Sequence, residues 1–311
     1  MPDPIRIAVI GAGQFGQNHC RVVRQSSRAE LTAVVDIDPS RGTLADYREL
    51  AGKVDAAIVA TPTSAHAEIG CWLLEHGIDV LVEKPIAPDL ESADRLVAAA
   101  GRNRRILQVG HLERFNPAVI ALETRLSLPL FFEIHRLSIF SPRSLDIDVI
   151  LDLMIHDIDI VLSLTHAEPD DIRGAGVSIL SPKVDIANVR MQFPNGCVAN
   201  LTASRVSTER VRKLRLFQPR QYCSLDYARQ ELLIFSVDAD HHISFEPVAV
   251  TKAEPLELQF DAFLNSVETR NPPKTSGQRA RQTLCVALAI LDKIKEHSEI
   301  VSGSLAGGWK L

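Results

Sequence analysis

The fold is decided by residues 5–16, which read Ile-Arg-Ile-Ala-Val-Ile-Gly-Ala-Gly-Gln-Phe-Gly. The first six are mostly apolar and β-branched, as in a strand that is covered on both faces of a parallel sheet. The next six match the pattern G-x-G-x-x-G. Gly11 permits a tight turn, Gly13 lets a pyrophosphate approach the backbone, and Gly16 lets the following helix pack closely. The stretch predicts the opening of a dinucleotide-binding (Rossmann) sheet.

An acidic residue extends this pattern. Asp36 closes a second apolar run and lies 20 residues after Gly16. A carboxylate at this point accepts hydrogen bonds from the adenosine ribose and repels a 2′-phosphate, so we expect NAD as cofactor, with NADP possible because Arg41 is near. Gln14 and Phe15 open the helix whose N-terminus would face the phosphates. The alternative is a glycine turn without a ligand and a surface aspartate.

The first hundred residues continue the same alternation. Further apolar runs at residues 56–60, 78–82 and 106–109 are separated by helical patterns, which predicts βαβ units. The segment 36–56 is too short for a full crossover helix and another strand. We therefore expect one helix of the doubly wound pattern to be shortened or lost there.

The pattern changes after about residue 117. Consecutive strand-like runs are separated by breakers such as Pro194-Asn195-Gly196, and one long helix is predicted at 148–164. The sequence thus predicts an α/β Rossmann domain, residues 1–116, followed by an α+β domain, residues 117–311, with a mostly antiparallel open-faced sheet. The second domain would bind substrate and mediate oligomers, and its last helix could pack back on the first.

Composition narrows the classes of function. The formal charge of −5 over 311 residues argues against a nucleic-acid footprint. Five scattered cysteines give neither a zinc site nor a disulfide framework, so we expect no metal and a reducing cytoplasm. No apolar stretch is long enough to span a membrane, and we expect no membrane partner.

Polar residues follow two of the predicted strands, where ligands bind in open α/β sheets. Thr61-Pro62 and His66 follow the third run, and Glu83-Lys84 follows the fourth. Lys84 could donate a hydrogen bond to a reacting oxygen; the alternative is a surface lysine paired with Glu83. His66 would cap or line the cofactor pocket.

The predicted helix 148–164 carries Asp152, His156 and Asp159 at i, i+4 and i+7, on one face. Its other positions are largely apolar, so the helix should be buried. A carboxylate one turn from a histidine fixes the tautomer and raises the pKa of the imidazole, which suits a general base. A core histidine satisfied by an aspartate, or a metal site of all three residues, are the alternatives.

Together these motifs resemble the glucose–fructose oxidoreductase/inositol dehydrogenase/MocA family over nearly the whole chain. The markers are the glycine loop, Thr61-Pro62 with His66, Glu83-Lys84-Pro85 and Asp152-x-x-x-His156. The resemblance implies that Lys84, Asp152 and His156 surround the nicotinamide and the substrate hydroxyl. It also implies that the second domain forms homodimers or homotetramers. The short 36–56 connection departs from the family's common pattern and leaves NAD versus NADP open.

A narrower resemblance concerns residues 110–118, 151–159 and 203–206, which are similar to segments of UDP-N-acetylglucosamine 3-dehydrogenases and related sugar-nucleotide enzymes. It implies oxidation of a sugar hydroxyl, best the 3-hydroxyl of a UDP-sugar.

The substrate contacts expected from these segments are Arg114, Asn116, Asp159 and Arg205, with Arg205 on the diphosphate. Both arginines could instead form ordinary ion pairs. A polyol, inositol or free-sugar dehydrogenase, and a non-catalytic nucleotide-binding regulator of the same fold, are the alternative functions.

Overall fold

The computed structural model describes residues 3–140, 147–180 and 182–306, and it divides into two compact units. The first unit comprises Met1–Phe115 and Ala253–Leu284, and the second comprises Asn116–Lys252 and Cys285–Leu311. The division corrects the predicted domain limits, because residues 253–284 belong to the first unit rather than the second. Length and composition alone could not show which core this late segment joins.

The first unit is built on five parallel strands in the order β2-β1-β3-β4-β5. The strands are β1 (Ile5–Ile10), β2 (Ala29–Val35), β3 (Ala56–Val59), β4 (Asp79–Val82) and β5 (Leu107–Val109), and the helices between them are α1 (Gln14–Gln25), α2 (His66–Glu75) and α3 (Leu90–Asn103). The strand order reverses at β1, which places the end of β1 at the point where such sheets bind ligands. The Rossmann prediction is confirmed.

The connection between β2 and β3 lacks an α-helix throughout its described residues. It contains only a 3₁₀ turn, Tyr47–Leu50, at whose beginning the Asp46 side chain accepts a hydrogen bond from the Arg48 N–H. The expectation of a lost crossover helix is therefore confirmed. The chain instead pairs Thr43 and Leu44 with the end of β2 through backbone hydrogen bonds to Val34.

The core of the first unit explains the placement of residues 253–284. Helix α6 (Pro255–Thr269) turns Leu256, Phe260, Phe263 and Leu264 into the same apolar cluster as β1 and α1. All four are at most 5% exposed. Burying an aromatic or leucine side chain stabilises a fold by about 1.5–3 kcal/mol, so this face commits α6 to the first unit.

The second unit holds an eight-stranded sheet in the order β13-β12-β11-β10-β6-β9-β8-β7. Its pairs are antiparallel except β6 with β9, which are parallel. The strands are β6 (Phe131–Ile139), β7 (Asp171–Val177), β8 (Ile186–Gln192), β9 (Val198–Ser207), β10 (Val211–Gln218), β11 (Gln221–Asp226), β12 (Glu231–Val237) and β13 (Ile243–Val248). The predicted mostly antiparallel sheet is confirmed; β13, whose residues are largely exposed and include Pro247, lacked a clear alternating signal.

Helices cover one face of this sheet. They are α4 (Pro117–Glu123), α5 (Ile155–Thr165) and the later part of α7 (Gly277–Ala306). The predicted continuous helix at 148–164 is wrong in its first turns, because a π-helical turn, Ile150–Met154, precedes α5. In the part of the chain that the structure describes, no helix is both long and apolar enough to cross a membrane.

Candidate active site

The glycine loop has the geometry that a bound dinucleotide requires. Gly11 has φ +89°, and a Cβ there would lie 2.6 Å from the Ala60 carbonyl oxygen. A Cβ on Gly16 would lie 1.8 Å from the Gly11 oxygen, so both positions are restricted to glycine by their neighbours. A Cβ on Gly13, in contrast, would meet no described atom within 4 Å. The open side of the loop is therefore at Gly13, where a pyrophosphate would approach.

The beginning of α1 supports the same fit. Its N-cap is Gly13, which has no side chain to satisfy the first N–H groups, and its first turn has no acidic residue. Such N–H groups and the helix dipole favour a phosphate. Gln14 and Phe15 occupy the first turn, with Phe15 41% exposed.

Asp36 lies directly beside this loop. One carboxylate oxygen accepts a hydrogen bond from the Ala12 N–H at 2.7 Å, and the other accepts from the Asp38 N–H at 2.9 Å. The first contact ties the end of β2 to the glycine loop at the place where a ribose would bind. Arg41 pairs with Asp38 at 3.1 Å on the surface, so in this arrangement its charge is already partly compensated.

The ends of β3 and β4 are joined by His66. Its Nδ1 lies 3.0 Å from the Pro85 carbonyl oxygen and its Nε2 lies 2.9 Å from the Thr61 carbonyl oxygen. The ring is 1% exposed, and burial lowers the pKa of His66. Both ring nitrogens thus face the protein's own backbone, which favours a role in holding the two loops over direct contact with a cofactor.

Thr61 offers a buried polar atom at the same place. Its hydroxyl oxygen has no hydrogen-bond partner among the described residues. Buried hydroxyls are normally satisfied, so a group supplied by a ligand would complete this position. Pro62, next to it, is exposed. Together with the open side of Gly13, the Thr61 hydroxyl fits a dinucleotide.

Lys84 follows the end of β4 and is partly buried, and its peptide bond to Pro85 is cis. The preceding Glu83 is 9% exposed, and its Oε1 lies 2.8 Å from Nε2 of His19. The sequence analysis offered a pair of Glu83 with Lys84 only as an alternative, and it did not foresee the contact of Glu83 with His19. The available signal was its place on α1, three residues after Gly16, because that turn of the helix faces the sheet.

The second unit positions the other three predicted residues. Asp152 lies in the π-helical turn and His156 at the beginning of α5, and both are partly exposed. Asp159 is only 3% exposed. A π turn does not follow the 3.6-residue period of an α-helix. The predicted helical face, which assumed that period, therefore does not give the position of Asp152 relative to His156 and Asp159. Single π turns inside helices occur frequently at functional sites.

A buried ion pair fixes this helix next to His156. Arg136 on β6 donates two hydrogen bonds to Asp157, at 2.8 and 2.7 Å, and both side chains are at most 3% exposed. The guanidinium also lies 5.0 Å from the centre of the Tyr227 ring. Sequence reasoning missed the pair. The signal was the position of Arg136, which follows Phe132 and Ile134 at every second residue of β6 and therefore faces the core with them.

A metal site formed by Asp152, His156 and Asp159 was only an alternative, and among the described residues these three do not form a group close enough to share an ion. The carboxylates and histidines there that approach closely enough to share an ion are Asp238, Asp240 and His242, all exposed in the turn before β13. Exposed acidic turns of this kind are common without a metal.

Arg114 and Asn116, two of the expected substrate contacts, are both buried. Arg114 is 4% exposed in the 3₁₀ turn Leu112–Phe115, and its carbonyl oxygen accepts from Lys274 at 3.0 Å. Asn116 caps α4: its Oδ1 accepts from the Ala118 N–H at 3.1 Å, and its Nδ2 donates to the Tyr227 carbonyl at 3.0 Å. Both ends of the Asn116 amide serve the fold, which favours a structural role.

Arg205 is also held by the protein. It is 5% exposed, its Nε lies 3.2 Å from an oxygen of Asp185, and it donates to the Val184 carbonyl at 2.9 Å and to the Ile147 carbonyl. Asp185 is fully buried. Asp185 supplies the negative charge that the diphosphate of a substrate was expected to supply, so the surroundings of Arg205 favour an internal ion pair over an anion site.

The glycine loop, Asp36 and the polar ends of β3 and β4 define a nicotinamide-dinucleotide-dependent oxidoreductase. Residues 5–111 match the model of the oxidoreductase family with an NAD-binding Rossmann fold, and residues 133–218 match the GFO/IDH/MocA C-terminal domain. The chain belongs to the GFO/IDH/MocA family of oxidoreductases.

Two similar proteins are informative. The chain is 36% identical over 302 residues to the UDP-N-acetylglucosamine 3-dehydrogenase of Acidithiobacillus ferrooxidans, covering 92% of this chain and 96% of that protein. A solved structure of that dehydrogenase aligns with a TM-score of 0.89 at 34% identity, covering 94% and 99% of the two chains. An inositol 2-dehydrogenase of Arthrobacter sp. is 32% identical over 189 residues, which cover 54% of this chain and 56% of that enzyme.

Proposed function

We propose that this protein oxidises the 3-hydroxyl of UDP-N-acetylglucosamine, or of a closely related UDP-sugar, to a keto sugar. The observation that carries the proposal is the extent of similarity. The UDP-N-acetylglucosamine 3-dehydrogenase aligns over 92% of the chain, whereas the inositol dehydrogenase aligns over 54%. A substrate is selected by a site and not by a fold. Similarity that extends through the second unit, which contains the segments 151–159 and 203–206, therefore favours the sugar nucleotide.

The chemistry divides between the cofactor and the protein. The nicotinamide, when bound, supplies the acceptor for the hydride. Lys84 donates a hydrogen bond to the reacting oxygen and stabilises the negative charge that develops there. His156 takes the hydroxyl proton as a general base, and Asp152 supports it. Asp159, being buried, is assigned to the fold of α5.

Two variants test these roles. Lys84→Ala and His156→Ala should each lower kcat by about 10²- to 10⁴-fold while leaving NADH affinity and Tm nearly unchanged. Lys53→Ala, an exposed lysine, and His135→Ala, a partly exposed histidine of β6, are matched controls that should keep full activity. Wild-type kcat in either test variant would remove that residue from the mechanism.

The substrate itself is tested by comparison. The enzyme is assayed with NAD and one of three candidate substrates: UDP-N-acetylglucosamine, free N-acetylglucosamine or myo-inositol. NADH formation gives the rate, and mass spectrometry identifies the product. The non-reacting UDP portion can hold the sugar against the cofactor, so the free sugar should lose kcat as well as affinity. Arg114 is the proposed contact to the diphosphate. Higher kcat/KM on inositol would favour the polyol dehydrogenase, and cofactor binding without turnover of any substrate would favour the regulator.

NAD is the proposed cofactor. Asp36 lies beside the glycine loop, and its carboxylate would repel the 2′-phosphate of NADP. Titration of protein fluorescence should give a lower Kd for NADH than for NADPH, and Asp36→Ala should weaken NADH more than NADPH. Tighter binding of NADPH by the wild type would contradict this assignment.

A homo-oligomer formed through the sheet of the second unit is the proposed assembly. On the face opposite the core, Phe131, Phe217, Tyr222, Phe235 and Phe245 pair across five adjacent strands, with ring centres 4.9–5.8 Å apart. Phe217 is 39% exposed and Phe245 is 55% exposed. A contiguous apolar surface marks an interaction site, and a two-fold axis would place this surface against its own copy.

Light scattering after size-exclusion chromatography tests the assembly. Phe217→Lys should shift the mass towards the monomer because it buries a charge in the interface. Val177→Lys, at a position on β7 that is 54% exposed, should not. A monomeric wild type would contradict the proposal.

A further inference from the structure

The feature that prompts the inference is a buried contact between α1 and the loop that carries Lys84. His19 is 1% exposed, and its Nε2 lies 2.8 Å from Oε1 of Glu83, which is 9% exposed. Among the described residues no group bonds to Nδ1 of His19. The geometry therefore fits the tautomer that carries its proton on Nε2 and donates it to the carboxylate.

The Glu83 carboxylate is also confined from the other side. Gly110 follows β5 and donates its N–H to the Val82 carbonyl at 2.8 Å. A Cβ on Gly110 would lie 2.7 Å from each of the two Glu83 carboxylate oxygens. The carboxylate is thus held between an imidazole and a glycine α-carbon. The ring of Phe15 meets the His19 ring edge-on, with centres 5.4 Å apart, and limits the imidazole's own movement.

Lys84 lies between two anchored residues. Glu83, before it, is held by His19 of α1. Pro85, after it, is held through its carbonyl oxygen by His66 of α2, with Nδ1 at 3.0 Å. A lysine on a flexible four-carbon stem gains a defined position only if its backbone is fixed. Because α1 also begins at the glycine loop, the same helix sets both the cofactor loop and the lysine.

We infer that His19 is a positioning residue for Lys84, acting through the Glu83 carboxylate. The inference rests on the proposed catalytic role of Lys84. It differs from a purely structural role, in which the buried pair would only join α1 to β4 and its loss would lower stability without a specific effect on the lysine.

Three variants perturb the contact in different ways. His19→Leu removes the donor, and His19→Gln keeps an N–H donor at a similar reach. Gly110→Ala leaves both partners in place but displaces the carboxylate, and its backbone is not in the left-handed region, so alanine adds only the Cβ. Cys20→Ala is the matched control, since it loosens the buried face of α1 one residue away without touching Glu83.

The expected kinetic result is a split between kcat and binding. His19→Leu and Gly110→Ala should lower kcat about tenfold or more, since small displacements of a catalytic group have effects of this size. The Kd for NADH should stay within about threefold, as expected when ground-state binding is retained. His19→Gln should recover most of the kcat, and the His19→Leu/Gly110→Ala double variant should fall little below the single ones because both act through one carboxylate.

A second readout does not depend on the substrate. Acetylation of Lys84 by a limiting anhydride is followed by peptide mass spectrometry, with exposed Lys53 as the internal standard. The acetylation rate of Lys84 relative to that of Lys53 should change at least about threefold in His19→Leu and Gly110→Ala, because positioning alters the local environment of the amine. In His19→Gln and Cys20→Ala it should stay at the wild-type value.

Two results would overturn the inference: an unchanged Lys84 acetylation rate in His19→Leu, or a kcat loss in Cys20→Ala equal to that in His19→Leu. Failure of the proposed function has a different signature. In that case the wild type turns over no UDP-sugar, while the acetylation rates of the variants still decide whether His19 positions Lys84.

Discussion

Replacing Arg205 by methionine distinguishes a diphosphate ligand from an internal ion pair. The change keeps an apolar stem and removes the charge beside Asp185, which is fully buried. Removing one partner of a buried pair costs about 3–5 kcal/mol, because it leaves an uncompensated charge. Asp185 keeps two hydrogen bonds, from the N–H groups of Ile179 and Leu180 at 2.6 Å each, so the lower end of that range is expected.

The assay is thermal unfolding combined with kinetics. For a domain of 150–250 residues about 1 kcal/mol corresponds to 2–4 °C in Tm, so a loss of about 3 kcal/mol should lower Tm by roughly 6–12 °C. KM for the UDP-sugar, measured well below the new Tm, should change little. Asp185→Asn in the same chain should recover part of the loss, because it removes the unpaired charge. Arg210→Met, at an exposed arginine, is the control and should leave Tm unchanged. A normal Tm with KM raised tenfold or more would refute the reasoning and restore Arg205 as a substrate ligand.

Two further predictions concern stability. Asp79 accepts hydrogen bonds from the Ile106 N–H at 2.7 Å and from both terminal guanidinium nitrogens of Arg270. Asp79→Ala should therefore lower the free energy of unfolding, measured by urea titration, by about 2–3 kcal/mol. Asp79→Asn keeps an acceptor for Ile106 and should lower it by less. Burial raises the pKa of the Cys197 and Cys223 thiols from 9.0 to about 11, so the stability they contribute is complete below pH 9 and is lost as pH rises to 11. Each tenfold change in proton affinity corresponds to about 1.4 kcal/mol, so between pH 9 and pH 11 the free energy of unfolding of the wild type should fall by a few kcal/mol more than that of the Cys197→Ala/Cys223→Ala variant. Equal losses in the two proteins would show that the thiols do not contribute.

The local elements of the first unit were predictable because their signals are local. The apolar strands, the glycine loop and the missing crossover helix each depend on the residues of one short segment. The predicted beginning of the helix 148–164 was wrong because the local sequence carries no signal for it. A π turn inserts one residue into the helical period, and nothing in the apolar composition of Ile150–Met154 distinguishes it from an α-turn.

The sequence by itself determined the two-part architecture, the dinucleotide loop and the residues placed at the ends of β3 and β4, because strand and turn preferences are set by neighbours along the chain. Only the tertiary structure decided which polar groups meet. It placed His19 on Glu83, 64 positions later, and Arg205 on Asp185. It also assigned α6 to the first unit. Such pairings depend on burial in a low-dielectric interior, where a charge must find a partner, and the partner's distance along the chain carries no information about that contact.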